Sequence, residues 1–188
     1  MRKKIAILAV QGAFVEHKYK LEALGAECVL VRQKNDFTDD INGIVLPGGE
    51  SSVQGKLMRD LGLFDLVQNA IVNQVPVLGT CAGLILLADT LSNDDMVHLQ
   101  TLPVTVKRNA YGRQLGSFRT CAAFGNYGDV PMTFIRAPYI EQAREDVEIL
   151  ATVDKHIVGV RYQNQIGLSF HPELDEDNTI HQMFLEMC

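Results

Sequence analysis

The run Ile5-Ala-Ile-Leu-Ala-Val10 is apolar at every position. Side chains of a strand alternate between two faces, so a strand without polar alternation must be covered on both sides. Three further aliphatic-rich runs read as strands at 28–31, 41–46 and 75–78. Between and after them lie helical patterns at 14–24, closed by Gly25, at 52–61 and 64–74, and at 81–90. Strand and helix alternating in this order predict an α/β fold with a mostly parallel central sheet between two helical layers. The chain's 188 residues suit one domain, 1–188.

The second half changes character. Extended segments are expected at 99–106, 117–124, 133–137, 147–153, 157–163 and 166–170, with turns at Asp154-Lys155 and Asn164-Gln165. These predict antiparallel additions to the sheet. The stretch 117–132 is weakly patterned. A last helix starts near Asp177, where Ile180, Met183, Phe184 and Met187 form one apolar stripe.

Charge narrows the partners. The formal net charge is −6 and no dense Lys/Arg block occurs, which argues against nucleic acid or an anionic membrane. No apolar run approaches the ~20 residues of a membrane span. The basic start before Ile5 is followed by too short an apolar run for a signal peptide. Cys28, Cys81, Cys121 and Cys188 are scattered, so neither a disulfide nor a zinc framework is expected, and a cytoplasmic location fits. Cys28 and Cys121 fall in expected strands and should be buried, with Cys188 exposed. No histidine and carboxylate grouping suggests a metal, and no cofactor is expected.

Gly79-Thr-Cys-Ala-Gly83 follows an expected strand and opens an apolar helix. A nucleophile on such a tight strand-to-helix turn needs small neighbours, and the helix N-terminus behind it favours a thiolate. Cys81 is therefore the candidate nucleophile, and the N–H of Ala82 can face an oxyanion. Read alone, Cys81 fits a small buried hydrophobe equally well; a glycine on each side argues against that. Ser169-Phe-His-Pro-Glu173 ends the last expected strand, and residues i and i+2 of extended backbone share a side. His171 can then act as base and Glu173 as its orienter. The other histidines, His17, His98, His156 and His181, show no partner spacing and read as solvated or structural. Leu46-Pro-Gly-Gly-Glu-Ser-Ser52 brings two glycines to the end of a strand, and a Gly48 or Gly49 N–H could complete an oxyanion hole. A phosphate loop does not fit, because five residues separate Gly49 from Gly55 and Leu57 follows Lys56.

These motifs, in this order, resemble the class I glutamine amidotransferases. The segments Gln11-Gly-Ala13, Glu16-His17, Arg108-Asn-Ala-Tyr-Gly-Arg-Gln114 and Phe134-Ile-Arg-Ala-Pro138 extend the likeness to one branch, the glutaminase subunits of pyridoxal 5′-phosphate synthase. The resemblance covers nearly the whole chain; Ser52 departs from the family's usual Thr. It implies a flavodoxin-like three-layer α/β/α fold and hydrolysis of L-glutamine to glutamate and ammonia for a separate synthase subunit. It also implies glutamine contacts from Gly48, Gly49, Glu50, Arg108, Ile135 and Arg136. Which arginine would pair with the substrate α-carboxylate stays open at this level. Three other readings remain: the glutaminase subunit of a different synthase, a cysteine hydrolase on the same fold, and a binding module that kept the residues without the activity.

Overall fold

The computed structural model describes residues 2–111 and 116–188. Gly112, Arg113 and Gln114, part of the Arg108 motif, lie outside the described residues. The first half runs β1 (Lys4–Leu8), α1 (Phe14–Ala23), β2 (Glu27–Val31), β3 (Gly43–Leu46), α2 (Ser51–Asp60), α3 (Phe64–Val72), β4 (Val77–Thr80) and α4 (Ala82–Leu87). The second half runs β5 (Ala88–Leu91), β6 (Leu102–Lys107), β7 (Ser117–Ala123), β8 (Asp129–Ile135), β9 (Tyr139–Ala143), β10 (Glu148–Val153), β11 (His156–Tyr162), β12 (Gln165–Leu168) and α5 (Thr179–Met187).

The main sheet has the order β2-β1-β3-β4-β12-β11-β9-β6-β5, with β10 paired to β11. The pairs β2–β1, β1–β3, β3–β4 and β4–β12 are parallel, as the uninterrupted apolar runs require. From β12 onward the pairings β12–β11, β11–β9, β9–β6 and β10–β11 are antiparallel. The two sides of the sheet build two separate cores. Ile5, Ile7, Val45 and Leu78 pack with Leu21 of α1 and with Ile180, Met183 and Phe184 of α5. Ala6, Leu8, Ile44, Leu46 and Val77 pack on the other face with Met58, Val67, Ile71 and Leu84, from α2, α3 and α4. Strand residues one position apart thus enter opposite cores, the period-2 consequence of a pleat buried on both faces.

Several expectations change. The helix expected over 81–90 stops at Leu87, because Ala88 leaves helical geometry at φ −55°, ψ 139°. Ala88–Leu91 instead pairs in parallel with β6, where Thr90 Oγ1 and Thr105 Oγ1 lie 2.7 Å apart. A short apolar run does not distinguish the two states by periodicity. β4 lies two residues later than expected, and β9 is an additional strand. The turn expected at Asn164-Gln165 occurs one residue earlier, at Gln163-Asn164, with Gln163 at φ 52°. The weakly patterned 117–132 region forms most of a separate β7–β8 hairpin. Val130, Met132 and Phe134 of that hairpin join the α1/α5 core, and Phe118 stacks on Phe134 at 4.4 Å. Cys121 is exposed and not buried, because it lies on the hairpin's outer side. Cys188 is half-buried, and burial pushes its thiol up to about 12.

Parallel β3, β4 and β12 end side by side, so the segments leaving them converge at one edge. The approach is close. A side chain at Gly83 would overlap the Leu46 carbonyl of β3, and one at Gly79 would meet the Gly83 carbonyl 2.8 Å away. Gly83→Ala is therefore expected to destabilise the fold by ~1–3 kcal/mol, the usual cost of overpacking a filled core. Urea unfolding measures this, and an unchanged midpoint would contradict the packing described.

Candidate active site

Cys81 stands between β4 and α4 at φ 50°, ψ −100°, a conformation that L-residues rarely adopt. Its N–H donates to the Leu168 carbonyl of β12 at 2.8 Å, which fixes the turn. Its side chain opens into a cleft of about 250 Å³. Ala82 follows as the first residue of α4, where the first N–H groups have no intrahelical acceptor.

The opposing wall is the segment after β12. The His171 N–H donates to the Thr133 carbonyl at 2.8 Å, and the ring lines the same cleft as Cys81. His171 Nδ1 and Glu173 Oε1 are 2.6 Å apart. The expected geometry of this pair needs correction. The strand ends at Leu168, and Pro172–Leu174 forms a 3₁₀ turn that brings the carboxylate under the ring. Gly48 has a steric task here, since a side chain at that position would overlap the His171 ring.

Electrostatics follow from burial and pairing. Burial works against a charged His171, but the Cys81 sulfur and the Glu173 carboxylate beside it outweigh that and push the ring up to about 10. Burial likewise opposes ionisation of Glu173, yet His17 and His171 together hold its carboxyl below the ordinary value.

The glycine loop is clamped by the segment after β1. The Gly48 carbonyl accepts the Ala13 N–H at 3.0 Å, and the Glu50 N–H donates to Gln11 Oε1 at 2.8 Å. Gln54 Nε2 donates to the carbonyls of Gln11 and Pro47 at 3.0 and 3.1 Å. Gly48, Gly49, Glu50, Arg108, Ile135 and Arg136 all line the cleft with Cys81 and His171. The two arginines differ. The Arg108 guanidinium is paired with Asp94, and its backbone N–H donates to Asn93 Oδ1 at 2.9 Å. Arg136 is exposed, takes a φ of 43°, and its guanidinium has no ion-pair partner among the described residues.

Sequence reasoning gave Gln11, Gln54, Thr80, His17 and His181 no role. His17 and His181 are both fully buried, which corrects the solvated half of their reading. Gln11 and His17 sit within quoted motifs, but nothing in the spacing pointed to what they touch. Gln54 carries no local signal.

The family model for the SNO glutamine amidotransferases matches residues 7–188. The chain belongs to that family. It is 62% identical over 183 residues to the protein named pyridoxal 5′-phosphate synthase subunit PdxT of Desulfitobacterium hafniense (strain DSM 10664 / DCB-2), covering 97% of this chain and 92% of that one. Its identity to the protein of the same name from Streptococcus pneumoniae (strain CGSP14) is 52% over 188 residues, covering 98% and 97%. Among solved structures, one described as a glutamine amidotransferase superposes with a TM-score of 0.92 at 39% identity, covering 97% of both chains. As a member of the family the protein is a glutamine amidotransferase, an enzyme of the cysteine-nucleophile class. Its fold is the flavodoxin-like α/β arrangement of class I amidotransferases, with antiparallel strands added at one side.

In this amidotransferase the Cys81 sulfur helps to hold the His171 ring charged. Removing it with Cys81→Ala should therefore lower the ring's midpoint from about 10 towards its ordinary value of 6.5. A raised histidine pKa stabilises the fold fully below the unfolded value, and that contribution is lost as pH rises through the folded value. The wild type's excess stability over Cys81→Ala from this source should therefore vanish at high pH. NMR titration of the ring tests the shift, and an unchanged midpoint would count against a Cys81–His171 interaction.

Proposed function

We propose that residues 1–188 act as one glutaminase domain that hydrolyses L-glutamine to L-glutamate and ammonia through Cys81, His171 and Glu173. The observation that carries this reading is a cysteine at a rare backbone conformation and an imidazole lining one cleft, with a buried carboxylate 2.6 Å from the imidazole. Glutamine lies with its side-chain amide against Cys81. The thiolate attacks the amide carbon, and the carbonyl electrons move onto oxygen. The N–H groups of Ala82 and Gly49 hold that oxyanion. His171, charged by its partners, donates a proton to the leaving nitrogen as the tetrahedral species collapses to a thioester and ammonia. Neutral His171 then takes a proton from water, whose oxygen attacks the thioester, and the collapse returns Cys81 and releases glutamate. Glu173 stays ionised and orients the ring throughout.

Glutamine is further held by the backbone at Gly48, Gly49 and Glu50, by Ile135, and by Arg108 and Arg136. Arg136 is assigned the α-carboxylate, because the Arg108 guanidinium is already paired with Asp94. A charge-assisted hydrogen bond is worth ~1.5–3 kcal/mol, so Arg136→Ala should raise KM roughly 10–100-fold with a smaller effect on kcat. Steady-state kinetics decide the point, and an unchanged KM would remove Arg136 from the substrate site.

The ammonia is passed to a pyridoxal 5′-phosphate synthase subunit in the cytoplasm. The relatives' names support this partner. Neither a nucleic acid nor a membrane belongs to this reading, and no helix among the described residues is long and apolar enough to cross a membrane. Ammonia released into water is largely protonated and lost as a nucleophile, so an unpartnered glutaminase would waste glutamine. The control point is the peptide between Gly48 and Gly49. Its carbonyl is bound to Ala13, so its N–H direction depends on the 11–13 segment. Partner docking on that segment sets whether the N–H faces the oxyanion. One oxyanion donor is worth ~10²–10³ in rate, and synthase should raise glutamate release by a factor of that order. The assay compares the pure protein with an equimolar mixture, with Cys81→Ala as the blank. Full activity without synthase would contradict the gating, and activity in properly folded Cys81→Ala would contradict the nucleophile.

A further inference from the structure

Behind Glu173, on the side away from Cys81, lies a polar cluster that the reaction steps above do not use. His17 of α1, His181 of α5 and Thr80 at the end of β4 are each 0% exposed. His17 Nδ1 lies 3.0 Å from His181 Nε2, and His17 Nε2 lies 3.2 Å from Thr80 Oγ1. The same Nε2 is 3.4 Å from Glu173 Oε2, the oxygen not used by His171. Glu173 Oε2 has no hydrogen-bond partner among the described residues, so the edge of the His17 ring is the polar group set against it.

The tautomers follow from this arrangement. A bare Nε2 lone pair on His17 would face a carboxylate oxygen, which is repulsive. With the proton on Nε2, the ring points its positive N–H end at Thr80 and Glu173. His17 Nδ1 is then an acceptor and must receive the Nε2–H of His181. His181 Nδ1 is left as an unprotonated acceptor, consistent with its having no partner among the described residues. Burial lowers the pKa of both rings and favours their neutral forms, while Glu173 is held in its ionised form.

We infer that His17, oriented by His181, is a positioning residue that braces the far oxygen of Glu173 and keeps the carboxylate aimed at His171. Two neutral imidazoles in a dry core contribute little to stability, and apolar side chains of similar size would pack there at no greater cost. What such side chains lack is a directed dipole against Oε2. The other charged groups around the cluster are Glu16 and Lys20 on α1, His171, and Asp175, Glu176 and Asp177 beyond Glu173.

This inference rests on the glutaminase reading, and one of its tests does not. In the isolated protein, a ¹³C titration of the Glu173 carboxyl reads the effect without catalysis. His17→Leu should move its midpoint upward, and His17→Gln, which keeps a side-chain N–H donor, should bring it back towards the wild-type value. In the complex with synthase, His17→Leu should lower kcat about 10–100-fold, the range typical for loss of a partner that orients a reacting group in metal sites. KM should hold, and the acid limb of the kcat profile should move to higher pH. If His17→Leu does not fold, His181→Leu takes its place and should shift the carboxyl midpoint in the same direction by less. A wild-type protein that releases no glutamate would defeat the glutaminase reading while leaving the carboxyl titration intact. An unmoved Glu173 midpoint in whichever leucine variant folds would overturn the inference. So would equal kcat losses in His17→Leu and His17→Gln with the midpoint unmoved, the mark of a merely structural role.

Discussion

A carboxylate withdrawn from water is costly unless charge or donors nearby compensate it. Glu173 is 5% exposed, and His17 together with His171, the latter at 2.6 Å, supplies that compensation. Each partner holds the other in its charged form. Because the carboxylate cannot turn to solvent, the imidazole cannot turn from the carboxylate, and the ring's other edge is left facing Cys81. The orientation of the His171 ring is therefore a consequence of where the carboxylate is buried.

That burial depends on the convergence of three parallel strands. β3 delivers Gly48, β4 delivers Cys81, and β12 delivers the His171 segment to one edge of the sheet. Glycine is needed at Gly48, Gly79 and Gly83 because a ring, a helix carbonyl and a strand carbonyl occupy the volumes their side chains would take. The β7–β8 hairpin supports the far wall. The Thr133 carbonyl receives the His171 N–H, and Asp175, three-hundredths exposed, accepts the Thr133 hydroxyl and pairs with Arg119. The hairpin thus holds the His171 segment from one side while α1 and α5 enclose the carboxylate from the other.

The parallel half of the fold and the elbow were legible in the sequence because their signals are local. Apolar runs without alternation require a covered sheet, and two glycines four residues apart around a cysteine require a tight turn. His171 and Glu173 were legible as a pair, though through a 3₁₀ turn and not through the extended geometry that spacing implied. The antiparallel half was read less well. β5 looked like a continuation of α4, because the apolar run of six helical residues continues without a break into Ala88, the first residue of the strand. The His17–His181 pair was not legible: 164 residues separate the rings, and only the packing of α1 and α5 on the same sheet face brings them together. Arg108 and Arg136 entered through resemblance alone, and the Asp94 pairing of Arg108 distinguishes them.

In the proposed reaction Cys81 attacks the side-chain amide carbon of glutamine with help from His171. A diazoketone analogue of L-glutamine places an electrophilic carbon where that amide stands and leaves a stable adduct on the attacking atom. Peptide mass spectrometry after brief treatment of the protein with its synthase reads the site directly. The expected result is a single adduct on the peptide containing Cys81, strongly reduced in His171→Ala and blocked by excess L-glutamine. Labelling that falls instead on exposed Cys121, or that reaches Cys81 equally with and without His171, would contradict it.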